Sequence, residues 1–142
     1  MRRLLRPVLV LSFALATSAA WADRATSDAH ARHLMKPQVG KASIYSKRFA
    51  GRRMADGERM DPHDNNAASK TLPLGTKALV TNLENGKSAM VTIEDRGPHV
   101  PGRIVDLSPA TAEKIGLTPK QGLAAVEVKP VELPGQPTVA EK

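Results

Sequence analysis

The chain has 142 residues, no cysteine and a formal net charge of +7 at pH 7. The absence of cysteine excludes disulfides and thiolate metal sites, so packing alone must hold the fold together. A chain of this length forms one domain that buries about two-thirds of its unfolded surface, which argues against a second domain.

The N-terminal segment has the pattern of a secretory signal peptide. Residues 1–6 hold three arginines, and residues 7–20 form an apolar stretch that is too short to span a bilayer. Ala20-Trp21-Ala22 has the small-x-small pattern of a cleavage site, so we expect a signal peptide at residues 1–22. An uncleaved membrane anchor is the alternative. No cysteine follows the apolar stretch to carry a lipid, so we expect a periplasmic or secreted protein without a membrane anchor.

The charge that remains after cleavage indicates the kind of partner. Removal of the three arginines in residues 1–6 would lower the formal net charge from +7 to +4. A modest positive charge in an exported protein favours contact with an anionic polymer of the cell envelope. Nucleic acid is not an expected partner, because it is scarce outside the cytoplasm.

Two polar segments flank the predicted domain. Residues 23–39 include His30 and His33 and show no sustained hydrophobic period, which predicts a flexible lead-in. Residues 131–142 are rich in proline and charge, which predicts a disordered tail. The domain is therefore expected at residues 40–130.

The clearest predicted element is a β-hairpin. Residues 77–83 and 87–95 form its strands, and Glu84-Asn85-Gly86 forms its turn, because Asn-Gly tolerates positive φ. Alternation along the second strand predicts that Asp95 ends an apolar face, which also includes Ala89, Val91 and Ile93.

Other elements are short. Strands are predicted at residues 42–45, 103–106 and 124–128, and a first helix at residues 62–69. A second helix is predicted to begin with Ser108 as N-cap and Pro109 in the first turn, and to stop at Gly116. Several short strands separated by glycine and proline, with two brief helices, favour a small barrel.

Six short motifs follow in order along the predicted domain. They are Gly40-x-Ala42-Ser43-x-Tyr45, Ala55-x-Gly57-Glu58, Ala67-Ala68-x-x-Thr71-Leu72-Pro73-x-Gly75-Thr76, Val80-Thr81-Asn82-Leu83-x-Asn85-Gly86-x-Ser88, Asp95-Arg96-Gly97-Pro98 and Gly102-Arg103-x-x-Asp106-Leu107-Ser108. In this order they resemble the barrel domain of the rare lipoprotein A (RlpA) family, which is similar to the barrels of expansins. The resemblance implies a mainly β fold, a six-stranded double-psi β-barrel with one or two short helices.

The resemblance also implies a function. Members of this family are lytic transglycosylases, which cut the glycan strands of peptidoglycan and leave 1,6-anhydro ends. A carboxylic acid protonates the glycosidic oxygen, and its conjugate base takes a proton from the 6-hydroxyl of the sugar, which attacks in place of water. No metal and no organic cofactor is implied. The expected partner is the glycan strand of peptidoglycan, and a monomer is the default expectation.

The family motifs place the candidate site residues. Asp95 and Glu58 carry over as the catalytic carboxylates, whereas Ser69 stands where the family has a histidine. A serine hydroxyl does not titrate near neutral pH as an imidazole does. Possible substrate-binding residues are Tyr45, Arg96 and His99. His63 or His99 could supply an imidazole from another loop.

Structural roles are the alternative for each of these residues. Asp95 could cap a turn and pair with an arginine, and Glu58 could be a solvated surface acid. Asp106, just before the second helix, is interpreted as structural. Arg52 and Arg53 could contact anions of the glycan or peptide, or could simply be solvated.

Two other classes of function compete with the enzyme. A non-catalytic, expansin-like module that binds peptidoglycan would retain the carboxylates and groove without the histidine, and Ser69 favours it. An interaction protein that inhibits or scaffolds envelope enzymes is the third hypothesis. Retention of both motif carboxylates argues against that third possibility.

Overall fold

The computed structural model describes residues 19–136, in which six strands close into a barrel. The order around the barrel is β1-β5-β2-β4-β3-β6. The pairs β1/β5 and β2/β4 are parallel, and the other pairs are antiparallel. This arrangement confirms the predicted mainly β, six-stranded barrel with helices. The strands are β1 (Gln38–Ile44), β2 (Asn66–Ala68), β3 (Lys77–Asn82), β4 (Ser88–Asp95), β5 (Arg103–Leu107) and β6 (Leu123–Glu132).

The predicted hairpin is confirmed as β3 and β4. Val80 lies opposite Ala89 in the antiparallel register. Gly86 has a φ of 75°, and its N–H donates to the Asn82 carbonyl at 2.7 Å. The turn therefore forms where Asn-Gly predicts it, because glycine adopts positive φ without steric cost.

The barrel interior is filled by small and branched apolar side chains. Alternate residues of each strand point inward, so β3 buries Ala78 and Val80, and β4 buries Val91 and Ile93. A second, smaller cluster packs apart from this core. We call it the Tyr45 cluster; it contains Tyr45, Met54, Met60 and Ala68, with Phe49 packed against it.

The helix α2 (Pro109–Lys114) forms where its capping residues predict it. The Ser108 side chain accepts a hydrogen bond from the Thr111 N–H at 3.2 Å. Beyond the C-terminal end, Gly116 has a φ of 71°. The side-chain amides of Asn82 and Asn85 donate to the Ile115 carbonyl at 2.8 and 3.0 Å, so the hairpin holds the end of this helix.

The N-terminal segment differs from its prediction. Residues 1–18 of the predicted signal lie outside the described residues, and helix α1 (Ala19–Leu34) occupies most of the segment predicted as a flexible lead-in. Frequent alanine, which has the highest helix propensity, accounts for the helix. β1 then begins at Gln38, two residues before the expected start of the domain. Neither helix in residues 19–136 has the length and apolar composition needed to cross a membrane.

The predicted helix at residues 62–69 is wrong. The chain makes turns at residues 62–64 and then forms β2, which pairs on one side with β4 and on the other with β5. Ala67 and Ala68 favour a helix by intrinsic propensity, but both are buried between two strands, and this tertiary pairing overrides the propensity.

The first residues of the predicted disordered tail are ordered. β6 continues to Glu132, and the Leu133 side chain is buried. Pro130 is tolerated within this strand at an irregularity in the pairing with β3, where Ala78 lies opposite it. Residues 137–142 of the predicted tail lie outside the described residues.

Candidate active site

The position of Asp95 depends on an irregularity at the end of β4. Ala67 lies opposite Ile93, but Ala68 lies opposite Asp95, so Glu94 is an extra residue in the register. A bulge of this kind re-aims the side chain that follows it. Ile93 packs in the barrel core, whereas Asp95 lies beside Ala68 in the Tyr45 cluster. The prediction that Asp95 ends the apolar face of Ala89, Val91 and Ile93 is therefore wrong.

Within the described part of the chain, three hydrogen bonds hold the Asp95 carboxylate. The backbone N–H groups of Ala55 and Arg96 donate to Oδ1 at 3.0 and 2.9 Å. The Tyr45 hydroxyl donates to Oδ2 at 3.0 Å. Two N–H groups thus occupy Oδ1, which leaves Oδ2 as the oxygen better placed to exchange a proton with a reactant.

A pocket of about 160 Å³ opens beside this carboxylate, and it is lined by Tyr45, Phe49, Arg52, Arg53, Met54, Met60 and Asp95. The Tyr45 ring meets the Phe49 ring edge-on, with centroids 5.9 Å apart. A larger pocket of about 390 Å³ lies beside α2, but neither Asp95 nor Glu58 lines it. The smaller pocket is therefore the candidate active site.

The Tyr45 hydroxyl is held in its protonated form. Burial raises the pKa of Tyr45, and the neighbouring Asp95 carboxylate raises it further, because both disfavour a second negative charge there. Tyr45 is thus a hydrogen-bond donor to Asp95 throughout the physiological pH range.

Ionisation of Tyr45 gives a direct test of this environment, because it is the only tyrosine in the chain. We expect little tyrosinate absorbance at about pH 10, where an unperturbed tyrosine is half ionised. The raised pKa means that the folded state binds this proton more tightly. Its contribution to stability is complete below about pH 10 and is lost as the pH rises further, so ionisation should accompany alkaline unfolding.

The measurement is a spectrophotometric titration followed in parallel by circular dichroism. The Tyr45→Phe variant supplies the baseline without tyrosinate. Half-ionisation near pH 10 in a chain that is still folded would contradict the buried hydrogen bond to Asp95.

The backbones of Ser69 and Asp95 are hydrogen-bonded to each other, but the Ser69 hydroxyl does not face the Asp95 carboxylate. The Ser69 N–H donates to the Asp95 carbonyl at 3.1 Å. Its side-chain oxygen accepts from the N–H groups of Thr71 and Leu72 at 3.3 and 3.1 Å, and the residue is only 2 % exposed. The hydroxyl therefore stabilises a turn, and it forms no hydrogen bond with the Asp95 carboxylate.

Glu58 lies in an exposed loop and does not line the pocket of Asp95. Its N–H donates to the Asp56 carboxylate at 2.9 Å, and its carbonyl accepts from the Met54 N–H at 2.7 Å. The negative charge of Glu58 contributes to a change in the pKa of Glu94. Burial raises the pKa of Glu94, and the charges of Asp56, Asp64 and Glu58 raise it further.

The two residues that follow Asp95 have different surroundings. The Arg96 guanidinium donates to the carbonyls of Ser69 and Leu72 at 2.9 and 2.5 Å, so it braces the 69–72 turn and does not face the pocket. His99 is exposed, as is the other candidate imidazole, His63. Neither histidine lines the pocket that contains Asp95.

Asp106, which the sequence analysis interprets as structural, lies beside the candidate active site. It faces Ala68 across β2/β5, just as Asp95 faces Ala68 across β2/β4, so the two carboxylates flank one small side chain. The Ser43 hydroxyl donates to the Asp106 carboxylate. Burial raises the pKa of Asp106, although this hydrogen bond and Arg103 oppose the shift.

Several residues that line the pocket were not among the candidate site residues predicted from the sequence. Phe49, Met54 and Met60 line the pocket, and Arg52 and Arg53 were left open between anion contact and solvation. One signal was available: Phe49 is the only aromatic residue besides Tyr45 within residues 40–130. Aromatic rings often stack on sugars. Because aromatic residues are scarce in this chain, Tyr45 and Phe49 could both have been chosen as candidates for a sugar-binding site.

Comparison with known proteins identifies a family and several relatives with similar sequences. A family model described as "Lytic transglycolase" matches residues 37–128. The chain is 46% identical over 99 residues to a Neisseria meningitidis serogroup A protein named endolytic peptidoglycan transglycosylase RlpA, which covers 70% of this chain and 41% of that protein. A Vibrio cholerae protein of the same name is 47% identical over 107 residues, which covers 74% of this chain and 40% of the relative. The chain thus spans about two-fifths of the length of these relatives.

Solved structures share the fold at lower identity. The Streptomyces papain inhibitor aligns with a TM-score of 0.53 at 23% identity and covers 68% of this chain and 96% of its own. A Clavibacter michiganensis expansin mutant in complex with cellohexaose aligns with a TM-score of 0.55 at 18% identity and covers 72% of this chain and 54% of its own. At these identities the similarity establishes the barrel fold alone.

Proposed function

Because this chain belongs to the lytic transglycolase family of RlpA-like double-psi β-barrels, we propose that it cleaves the glycan strands of peptidoglycan and leaves 1,6-anhydro ends. One observation supports this most directly. The Asp95 carboxylate lines a pocket of the barrel surface, with one oxygen held by two N–H groups and the other hydrogen-bonded to the Tyr45 hydroxyl. A single fixed carboxyl group is what the reaction requires of the protein.

In the first step Asp95 would act as the acid. Its proton would reside on Oδ2, because Oδ1 accepts from the backbone of Ala55 and Arg96. Transfer of that proton to the glycosidic oxygen would break the bond to the leaving sugar. The Tyr45 hydroxyl would donate to the carboxylate left behind, which stabilises the charge that develops on Asp95.

In the second step the same carboxylate would act as the base. It would take the proton from the 6-hydroxyl of the sugar, whose oxygen forms the new bond to the anomeric carbon. The nucleophilic oxygen comes from the strand itself, so no water is consumed. The proton that Asp95 gave to the leaving sugar is replaced by the proton of the 6-hydroxyl, and Asp95 returns to its protonated form. Glu58 lies in an exposed loop outside the pocket of Asp95, and this proposed step does not require it.

We propose that the protein is located in the periplasm or outside the cell, where it can reach peptidoglycan. The N-terminal signal pattern supports export. The names of the relatives, endolytic peptidoglycan transglycosylase RlpA, support a substrate in the cell wall. We propose that the exported protein acts as a monomer on the glycan strand.

Digestion of purified peptidoglycan tests the proposed reaction. We expect the protein to release muropeptides with 1,6-anhydro ends, identified by mass spectrometry. Strands with and without their stem peptides should be digested in parallel. Release of reducing ends in place of anhydro ends would indicate hydrolysis and would contradict the proposal.

A second function has support from one specific observation. The residue at the family histidine position, Ser69, hydrogen-bonds backbone N–H groups and supplies no titrating group beside Asp95. A barrel without that imidazole could bind glycan strands without cutting them. Binding of peptidoglycan in sedimentation assays without any anhydro product would favour this function.

Replacement of Ser69 by histidine distinguishes the two functions. If the missing imidazole limits the rate, Ser69→His should raise turnover, and the melting temperature should fall because two N–H groups lose their acceptor. Turnover and thermal unfolding are measured together, with Ser69→Ala as the control that removes the hydroxyl alone. An unchanged rate in a folded Ser69→His chain would mean that the imidazole is not limiting.

A further inference from the structure

A basic segment borders the candidate active site. Residues 47–59 contain five basic side chains, namely Lys47, Arg48, Arg52, Arg53 and Arg59. Two of them bind the backbone of the same loop: Arg53 donates to the Gly57 carbonyl at 2.9 Å, and Arg59 donates to the Gly51 carbonyl at 2.8 Å. These two arginines therefore have a structural partner.

Arg48 and Arg52 have a different environment. Their guanidinium carbons lie 5.2 and 5.8 Å from the centroid of the same Phe49 ring. Within residues 19–136 neither side chain forms a salt bridge, since the ion pair found there joins Lys77 to Glu132. Two like charges are thus held near one ring, and an anion that contacted both would relieve their repulsion.

The location of these cations connects them to the reaction. Phe49 and Arg52 line the same pocket as Asp95. Stacking on Phe49 limits the freedom of each guanidinium, so less entropy is lost when its planar fork binds an anion. An anionic group bound there would belong to a ligand that also reaches the Asp95 carboxyl.

We infer that Arg48 and Arg52 form a carboxylate-binding subsite that selects the muramyl residue of the strand next to Asp95. This inference rests on the proposed function. Of the two sugars that alternate in peptidoglycan, only the muramyl residue has a lactyl ether that ends in a carboxyl group. That carboxylate is free on strands without stem peptides, and the stem peptide supplies carboxylates of its own when it is present.

Binding measurements with uncut strands test the subsite. The Asp95→Asn variant is the parent protein, so that strands stay intact during equilibrium binding. Arg52→Gln in this background should weaken binding to peptidoglycan strands about tenfold, as expected for loss of a charge-assisted, forked contact. Arg52→Lys, which keeps the charge without the fork, should lose less. Neutral chitin oligosaccharides, which have no carboxylate, should bind all three proteins equally.

Two arms identify the source of the carboxylate. A loss of affinity on stripped strands but not on intact strands assigns the lactyl carboxylate, and a loss on intact strands assigns the stem peptide. Lys120→Gln removes one exposed charge away from the pocket and should change affinity less than about twofold, which controls for general attraction to the polymer.

The inference and the proposed function fail in different ways. The subsite is overturned if Arg52→Gln and Arg48→Gln bind peptidoglycan strands as tightly as the parent does. It is also overturned if these variants lose affinity for neutral chitin as much as for peptidoglycan. In both cases the proposed function stands. If the folded parent binds no glycan at all, both are overturned.

Discussion

Asp95→Asn is expected to lower the release of 1,6-anhydro products by about 10²- to 10⁴-fold, the usual contribution of a general acid–base group. Asparagine retains an oxygen that accepts from the backbone of Ala55 and Arg96, so the loop should stay in place. It lacks the proton needed by the glycosidic oxygen. We therefore expect loss of turnover with little change in the melting temperature.

The control is Glu84→Gln, which removes a carboxylate from the exposed hairpin turn and should leave turnover unchanged. Products are counted by mass spectrometry after equal digestion times, and thermal unfolding is followed for each variant. If Asp95→Asn is folded and retains the turnover of the parent, Asp95 is not the acid and another carboxyl, such as Asp106, must be considered.

Leu107→Ala is expected to have the largest effect on stability. Leu107 is fully buried on β5, opposite Ile44 on one side and Ala67 on the other. Truncation of such a leucine costs about 2–5 kcal/mol, because apolar burial is lost and a cavity remains. A domain with about 5–15 kcal/mol of stability loses a large fraction of it, so the melting temperature should fall by about 10 °C or more.

Leu83→Ala provides the matched comparison, because the same atoms are removed from a side chain that is 52% exposed. Its free energy of unfolding should change by less than about 1 kcal/mol. Both variants are measured by chemical denaturation monitored by circular dichroism. Equal destabilisation by the two substitutions would contradict the assignment of Leu107 to the barrel core.

Local signals predicted much of this fold. The Asn-Gly turn defined the hairpin of β3 and β4, and Ser108 with Pro109 defined the start of α2, because both features depend on a few neighbouring residues. β2 was not predicted. Its three residues are held in an extended conformation by two neighbouring strands distant in sequence, which local propensity cannot register.

The candidate site was predictable only in part for the same reason. Family motifs identified Asp95, but its hydrogen bond to Tyr45 joins residues 50 positions apart. The motif also could not show that the Arg96 side chain turns toward the 69–72 backbone. Contacts of this kind are decided by barrel closure, so they became visible only in three dimensions.

The extra residue in β4 makes the site sensitive to strand register as well as to composition. Regular pairing, with Glu94 opposite Ala68, would place Asp95 on the same face as Ile93 and aim its side chain at the hydrophobic interior, although every motif residue would still be present. A related chain that preserves Asp-Arg-Gly-Pro but pairs regularly at this point would direct its acid away from the pocket. The register between β2 and β4 is therefore as diagnostic of this chemistry as residue identities are.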